Sequence, residues 1–311
     1  MIMTSENLVG QLTDLAYGRS SPTVTVGVHD GTMHPDEVCA VAVLAEHLPG
    51  DINIRVIRSR DPALLRHADV LFDVSIWPDE SPFDHHGKDL QYYPNGIPYS
   101  TLGHVLDAVE PNRSLRELLL FNWGYAIQAN DNGFYRLPKG IEQSKMRWMT
   151  SLNQTWQENL SDAEAFSRFN WAVDVTRVIY RRMRAQALAK LAAGSILERC
   201  PLYMDRFVEL PPGGCPWQSY AFKNPNILGE YHRDINGLWT VRVAKEGPGD
   251  SSPRVQFPIE WGGKEQKDLQ VASGIPDAFF CHRSLHMGTF RTINGAKHAM
   301  RILIAIHDNQ S

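Results

Sequence analysis

Apolar positions in the first quarter of the chain follow two spacings, one typical of strands and the other of helices. Three β-branched runs predict strands, with the sequences TVTVGVHDG, INIRVIRSRD and DVLFDVS. The Ala/Val/Leu-rich segment from Asp36 to His47 and the run PALLRHA predict helices between those strands. Strands that alternate with helices favour a parallel α/β sheet, whose ligand site lies beyond the carboxyl ends of the strands.

The middle of the chain reads as helical. Apolar spacing predicts helices over Thr101–Val109 and Ser114–Asn130, and one long helix over Asp162–Leu197. We interpret the long helix as a connector between two domains.

The pattern changes after residue 200. The segment LGEYHRDINGLWTVRVAKE alternates like a β-hairpin with an Asn-Gly turn, AFFCHRS resembles a buried strand, and a last helix is predicted from Asn294 to Ile306. We therefore predict an N-terminal extension (1–22), an α/β domain that includes the connector helix (23–199) and a smaller α+β domain (200–311).

Composition narrows the class of protein. The 311 residues are 43% hydrophobic and 21% charged, with a formal net charge of −4, which excludes a large uniformly basic surface. Four scattered cysteines and no recognisable targeting segment predict an intracellular, cytoplasmic protein with reduced thiols. No run of 18 apolar residues predicts a membrane span. Composition leaves the oligomeric state open.

Side chains that bind metals recur at predicted strand and helix ends. They are His29, His34 and Asp36 after the first strand, Asp73 after the third, Asp84, His85 and His86 in FDHHGKD, and Asp131 in NDNG. Any one of them is more often a cap or a solvated residue. Four such places together favour a two-ion site of nitrogen and oxygen ligands for Mn²⁺, Mg²⁺, Co²⁺ or Zn²⁺, suited to phosphoryl chemistry.

These segments carry a resemblance to a known family. VHDGTMHPDE, VLFDVS, FDHHGKD and NDNG, in this order, resemble the MYG1 family, a relative of the DHH phosphoesterases. The likeness continues through GGCPW, VASGIPDAFFCH and RTINGAKHAM, so it covers nearly the whole chain from about residue 23. The resemblance implies a DHH-type parallel-sheet domain with a smaller C-terminal domain.

The resemblance also implies roles for the site residues. His29 and His34 would bind one ion, Asp36 the other, and Asp73 would bridge the two. His85 and Asp131 would complete the shell of the second ion. His86 would face a substrate phosphate, and Asp84 would orient His85 without binding an ion itself.

Basic side chains outside the metal-binding segments are candidates for holding the substrate. His282, Arg283 and Arg291 lie in the matching C-terminal motifs and are the expected phosphate contacts. Arg177, Arg181, Arg182, Arg184 and Lys190 form a basic stripe on the long helix that could follow a single strand or simply face solvent. Cys215 in GGCPW is expected to lie in a packed turn.

Three functions remain compatible with these features. The first is a metal-dependent phosphodiesterase, expected to be a 3′–5′ exonuclease that cleaves RNA or short oligonucleotides with a water activated by two metal ions. The exonuclease mode comes from the resemblance, and the sequence itself leaves the direction of degradation open. The second is a small-molecule or cyclic-dinucleotide phosphohydrolase with the same metal centre. The third is a metal-containing binding module without turnover.

Overall fold

The computed structural model describes residues 6–76, 81–86, 90–141, 147–155 and 157–310. The chain divides into two compact units, Met1–Ala187 (unit 1) and Leu188–Ser311 (unit 2). Among the described residues, no helix combines the length and the apolar character that a membrane crossing requires.

Unit 1 contains a parallel sheet. Its described strands are β1 (Thr23–Val28), β2 (Asn53–Arg58) and β3 (Val70–Leu71), in the order β2-β1-β3. Val28 pairs with Arg58, and Gly27 pairs with Leu71, so the carboxyl ends of the strands meet at one edge. The predicted mixed α/β fold with a parallel sheet is confirmed.

Helices account for most of the remaining described residues of unit 1. They are α1 (Leu8–Tyr17), α2 (Pro35–His47), α3 (Pro62–Leu65), α4 (Thr101–Val109), α5 (Arg113–Leu119), α6 (Tyr125–Asp131), α7 (Arg147–Thr150) and α8 (Asp162–Leu197). Helix α8 continues into unit 2. Helix α1 lies in the predicted N-terminal extension, where it buries Leu8, Leu12 and Ala16 in the core of unit 1.

Helix α2 is buried on every side, from Pro35 through Ala45. A helix that is buried all round belongs in a core, and α4 and α6 pack against this one. Its first turn, however, carries two acids, and the side chains of both Asp36 and Glu37 are fully buried. The helix therefore holds two carboxyl groups inside the protein at the edge where the strands end.

The helix predicted over Ser114–Asn130 is interrupted. Between α5 and α6 the chain forms a π-helical turn at Leu120–Gly124. Below this turn, the buried amide of Gln128 donates to the Gly124 carbonyl and accepts from the Tyr93 hydroxyl and the Ser100 N–H. These bonds fix α6, whose last residue is Asp131.

Unit 2 is built on a six-stranded mixed sheet, counted over residues 188–310, with the order β10-β11-β7-β6-β5-β4. Its strands are β4 (Leu202–Tyr203), β5 (Phe207–Glu209), β6 (Gly229–Arg233), β7 (Trp239–Val243), β10 (Ala278–Cys281) and β11 (Met287–Phe290), and a separate hairpin joins β8 (Lys245–Gly247) to β9 (Asp250–Pro253). The predicted Asn-Gly hairpin is confirmed as β6 and β7, with Gly237 at φ 81°.

Two hydrophobic clusters lie on the sheet of unit 2. One includes Tyr231 and Val241 with residues of α10 (Gln266–Ser273) and α11 (Ile293–Gln310). The other joins the end of α8 to Trp217 and to Ala221 of α9 (Gln218–Lys223). A 3₁₀ turn at Ile259–Trp261 completes the described elements.

Candidate metal centre

The side chains predicted to bind metal gather in unit 1 at the edge of the parallel sheet. His29 follows β1, and Asp73 comes two residues after β3. Asp36 lies in the first turn of α2, and Asp131 ends α6. Because parallel strands end at the same edge, residues far apart in sequence lie within ion-pair distance here.

Asp73 is at the centre of the group. It is 1% exposed, and its two carboxylate oxygens face different histidines. Oδ2 lies 3.2 Å from Nε2 of His29, and Oδ1 lies 3.0 Å from Nε2 of His85. The backbone of Asp73 is left-handed, with φ 57°, a conformation that aspartate tolerates better than most residues. This turn directs the carboxylate into the cluster.

The ligand-type atoms form three overlapping groups, in each of which the atoms lie within 4.8 Å of one another. The groups are His29, His34 and Asp73; Asp73, His85 and His86; and His34, Asp36 and Asp131. Asp73 and His34 each belong to two groups. Shared ligands of this kind are what a centre for two neighbouring cations requires.

Unsatisfied buried atoms support a cation at this place. Within the described residues, Nε2 of His29 and His85, both carboxylate oxygens of Asp36 and Asp73, and Oε2 of Glu37 are buried without a hydrogen bond of good geometry. A buried polar atom without a partner is costly, and a bound cation would satisfy all the carboxylate oxygens at once. The residues present therefore fit a divalent metal.

Backbone contacts orient one of these histidines. Nδ1 of His29 lies 2.6 Å from the carbonyl oxygen of Asp30 and donates to it, which leaves Nε2 directed at Asp73. A histidine that binds a metal is usually held in this way through its other ring nitrogen.

Burial and mutual repulsion shift the carboxyl groups of α2. Burial raises the pKa of Asp36 well above its ordinary value, and the nearby charges of Asp73 and Asp131 add to this. Burial likewise raises the pKa of Glu37 to about 8. Burial acts on Asp73 in the same direction, but the close imidazoles of His29 and His85 outweigh it and hold the pKa of Asp73 below its ordinary value.

The pKa values of His29 and His85 rise, which compensates these acids, whereas burial lowers the pKa of His34. Burial opposes the charged form of both rings, yet contacts with Asp73 and Glu37 raise the pKa of His29 to about 9. Contacts with Asp131 and Asp73 raise the pKa of His85 to about 10. Near neutral pH, Asp73 thus carries negative charge, Glu37 keeps its proton, and two imidazolium groups stand where cations would bind.

Sequence reasoning assigned no role to Glu37, although the residue lies within the first motif. Its Oε2 is 3.2 Å from Nε2 of His29, and its Oε1 accepts from the N–H of His34. A Glu three residues after a helix start is usually a capping residue, and Glu37 does cap α2. Its second contact could be seen only once β1 and α2 were placed together.

Asp84 does not contact the histidine that it was expected to orient. Its Oδ1 accepts from the backbone N–H and from Nδ1 of His86, at 3.2 Å and 2.7 Å, rather than from His85. The reason is local, since an Asp side chain readily forms a turn with the residue two positions on. His85 is oriented by Asp73 and Asp131 instead.

The three C-terminal candidates lie in unit 2 and have separate partners. Nδ1 of His282 lies 2.7 Å from the Ser284 hydroxyl. Arg283 is exposed. The guanidinium of Arg291 lies over the Phe279 ring, at 4.8 Å from its centroid. Their role in substrate binding stays a prediction.

The basic stripe of α8 is tied to acids within unit 1. Arg177 and Arg181 both bond to Glu46 of α2, at 3.1 Å and 2.7 Å. Arg184 bonds to Glu110, which is 2% exposed, at 2.8 Å. These three arginines therefore attach α8 to unit 1, and they do not form a free cationic track.

Comparisons with known proteins agree with the sequence motifs. A family model described as an uncharacterised protein family (UPF0160), the MYG1 family, matches residues 25–108 and 118–302. A mouse protein named MYG1 exonuclease is 27% identical over 326 aligned positions, which cover 90% of this chain and 84% of the mouse protein. A fission yeast MYG1 protein is 26% identical and is 95% covered.

Among solved structures, RecJ from Thermus thermophilus, crystallised with Mg²⁺, aligns with 97% of this chain and 52% of its own. Its TM-score is 0.29 at 12% identity, and this likeness assigns no fold.

Proposed function

Since this chain belongs to the MYG1 family (UPF0160), we propose that it is a metal-dependent phosphodiesterase, acting as a 3′–5′ exonuclease on RNA or short oligonucleotides. Mammalian relatives that bear the name MYG1 exonuclease support a nuclease. The structural observation that carries the proposal is Asp73, a buried carboxylate with one oxygen towards His29 and the other towards His85.

We propose the same ligand set that the sequence predicts: His29, His34, Asp36, Asp73, His85 and Asp131. Two divalent ions held there, with Mn²⁺ expected first, would supply charge neutralisation and an acidified water for attack on phosphorus. Glu37, beside His29, adds a carboxyl group that we propose as a further support of the first site.

The exposed part of the centre is suited to the substrate. His86 is 60% exposed, and its Nδ1 lies 3.7 Å from Oδ1 of Asp73. Asp84 raises the pKa of His86 through a hydrogen bond, which favours the charged imidazolium. A cation at this edge would bind a phosphate oxygen and stabilise added negative charge during phosphoryl transfer.

We also propose a DHH-type organisation, in which unit 1 carries the metal centre and unit 2 binds substrate. The order of ligand motifs along the chain supports it. A cytoplasmic location is proposed on cysteine usage alone.

One observation favours a second candidate, a small-molecule or cyclic-dinucleotide phosphohydrolase. Arg177, Arg181 and Arg184 are paired with Glu46 and Glu110, so this stripe gives no support to a long polymer substrate. The metal centre would serve a dinucleotide equally well.

The test is hydrolysis of RNA labelled at the 3′ or the 5′ end, and of a dinucleotide, with Mn²⁺. Asp73→Asn is the diagnostic variant, because asparagine also tolerates a left-handed backbone and changes only the charge. Asp174→Asn is the matched control, since Asp174 is 74% exposed in unit 1.

Mononucleotides released from the 3′ end, and lost in Asp73→Asn alone, would support the exonuclease. Cleavage of the dinucleotide with intact RNA would select the second candidate. Absence of metal-dependent turnover with all substrates would reject both and leave a binding module.

A further inference from the structure

The sheet of unit 2 contains a buried carboxylate that no part of the metal chemistry uses. Glu230 of β6 is fully buried, and its oxygens accept from Nδ1 of His232 at 2.8 Å and from Nε of Arg242. Glu230 and Arg242 lie directly opposite each other on β6 and β7. The side chain of Arg242 is 38% exposed, so Glu230 holds one edge of a cation that still reaches solvent.

The GGCPW segment crosses this ion pair without covering it. Gly213 and Gly214 are left-handed, with φ 83° and 75°. A Cβ atom on Gly214 would lie 3.3 Å from both Nη2 of Arg242 and Nε2 of His232. Glycine at this position therefore places no side chain against the guanidinium of Arg242.

Arg242 also lines a cavity of about 630 Å³, together with Cys215, Pro216 and Trp217 of the GGCPW segment. Its lining includes three cations, Lys190, Arg242 and Lys245, and one carboxylate, Asp250. Trp217 and Phe222 supply an apolar wall. We call this cavity the GGCPW pocket. Its size is within the range of small-molecule sites, and its charge is positive.

Other groups nearby indicate the same sign of charge. Burial and the neighbouring His282, Lys245 and Arg242 lower the pKa of His286. The charges that face His286 are thus mainly cationic, although the chain as a whole has a net charge of −4. An anion is the ligand that this concentration of cations would attract.

We propose that the GGCPW pocket binds a phosphate group, carried either by a mononucleotide or by the end of an oligonucleotide. Glu230 holds Nε of Arg242, so that the rest of the guanidinium is presented to phosphate oxygens in a fixed orientation. Lys190 and Lys245 add charge at the rim, and Trp217 and Phe222 contact the nucleoside. The assignment to an oligonucleotide rests on the proposed function; the phosphate site itself does not.

Calorimetric titration of the full chain tests this. The probes are inorganic phosphate, adenosine 5′-monophosphate and a short RNA with or without a terminal phosphate, each titrated in chelator and again with Mn²⁺. Arg242→Gln and Lys245→Gln should lower the affinity for the phosphate-bearing probes by roughly 10- to 100-fold, as expected for loss of a charged hydrogen bond. Lys267→Gln, at an exposed position of α10, should leave affinity unchanged.

The two sources of the phosphate are told apart by affinity. Equal binding of the mononucleotide and the phosphorylated RNA identifies a nucleotide site, and RNA that binds at least tenfold more tightly identifies a nucleic acid end. Thermal unfolding checks that Arg242→Gln folds. If this variant does not fold, Lys245→Gln, which removes only an exposed charge, takes its place in the test.

Unchanged affinity in both variants, or no binding of any phosphate-bearing probe to the native chain, would overturn the proposal. Asp73→Asn should keep this binding. A chain that binds the mononucleotide through Arg242 but hydrolyses nothing would retain the pocket and lose the proposed function.

Discussion

His85 and Asp131 face each other in unit 1, with Nε2 of the imidazole 2.9 Å from Oδ2 of the carboxylate. His85 comes after β3 in the sequence, and Asp131 ends α6. Their contact means that the part of the candidate metal centre around His85 depends on α6, a helix that lies far from the segment FDHHGKD in sequence.

Asp131→Asn should therefore weaken metal binding. The amide keeps the shape but loses the charge that faces His85 and His34. We expect Mn²⁺ affinity to fall by about tenfold or more, within the range of altered metal shells. Calorimetric titration with Mn²⁺ measures this, with Asp174→Asn as the control; equal affinities in the two variants would remove Asp131 from the ligand set.

The metal-free protein should lose stability as the pH rises. The pKa of Glu37 is raised to about 8, and those of His29 and His85 to about 9 and about 10. A group whose pKa is raised by folding stabilises the folded state fully at a pH below its pKa in the unfolded chain, which is near 4.5 for Glu and 6.5 for His. This stabilisation is lost as the pH rises through the pKa of the group in the folded state.

Thermal unfolding in chelator should show a falling Tm between pH 6 and pH 10 as this contribution is lost. Added Mn²⁺ should reduce the fall, because a metal requires the deprotonated ligands. A Tm that rises over this interval in chelator would contradict the assignment of protonated groups.

Asp36→Asn should stabilise the metal-free chain. Asp36 is fully buried among other acids, and its raised pKa means that folding opposes its ionisation. The amide has no proton to lose, so the variant should be more stable than the native chain at pH 8. Urea unfolding at pH 5 and pH 8 checks this, since the gain should be larger at pH 8; a variant less stable than the native chain at pH 8 would refute it.

The arginines of α8 should differ in their effect on stability. Arg184→Gln leaves the buried carboxylate of Glu110 without its partner, at a cost of about 1–3 kcal/mol. Arg181→Gln should cost much less than Arg184→Gln, because Arg181 is 64% exposed and Arg177 still bonds Glu46.

Urea unfolding separates the two variants. RNA hydrolysis supplies the second readout, in which Arg181→Gln should leave KM unchanged. A several-fold rise in KM for this variant would return Arg181 to the substrate track.

The sequence predicted the α/β order, the hairpin of unit 2 and most of the helices, because each depends on local periodicity. Thr101–Val109 was predicted to the residue. The partner of Asp84 and the contact of Glu37 with His29 could not be predicted, since each is decided by geometry at a turn or between elements. The ion pairs of the α8 arginines with Glu46 and Glu110 could not be predicted for the same reason. A basic stripe has the same sequence pattern whether it faces solvent or acidic side chains.

The π-helical turn at Leu120–Gly124 determines which changes in length this segment can accept. A π turn behaves as a one-residue insertion into an α-helix, and it absorbs that residue without rotating the helix that follows. Removing one residue there would let α5 and α6 join as a regular helix with Asp131 still directed at His85. Adding a residue that the turn did not absorb would rotate every later position by about 100° and move Asp131 away from His85, although no ligand had been substituted. In this part of the chain, the metal centre is therefore more sensitive to an insertion than to a deletion.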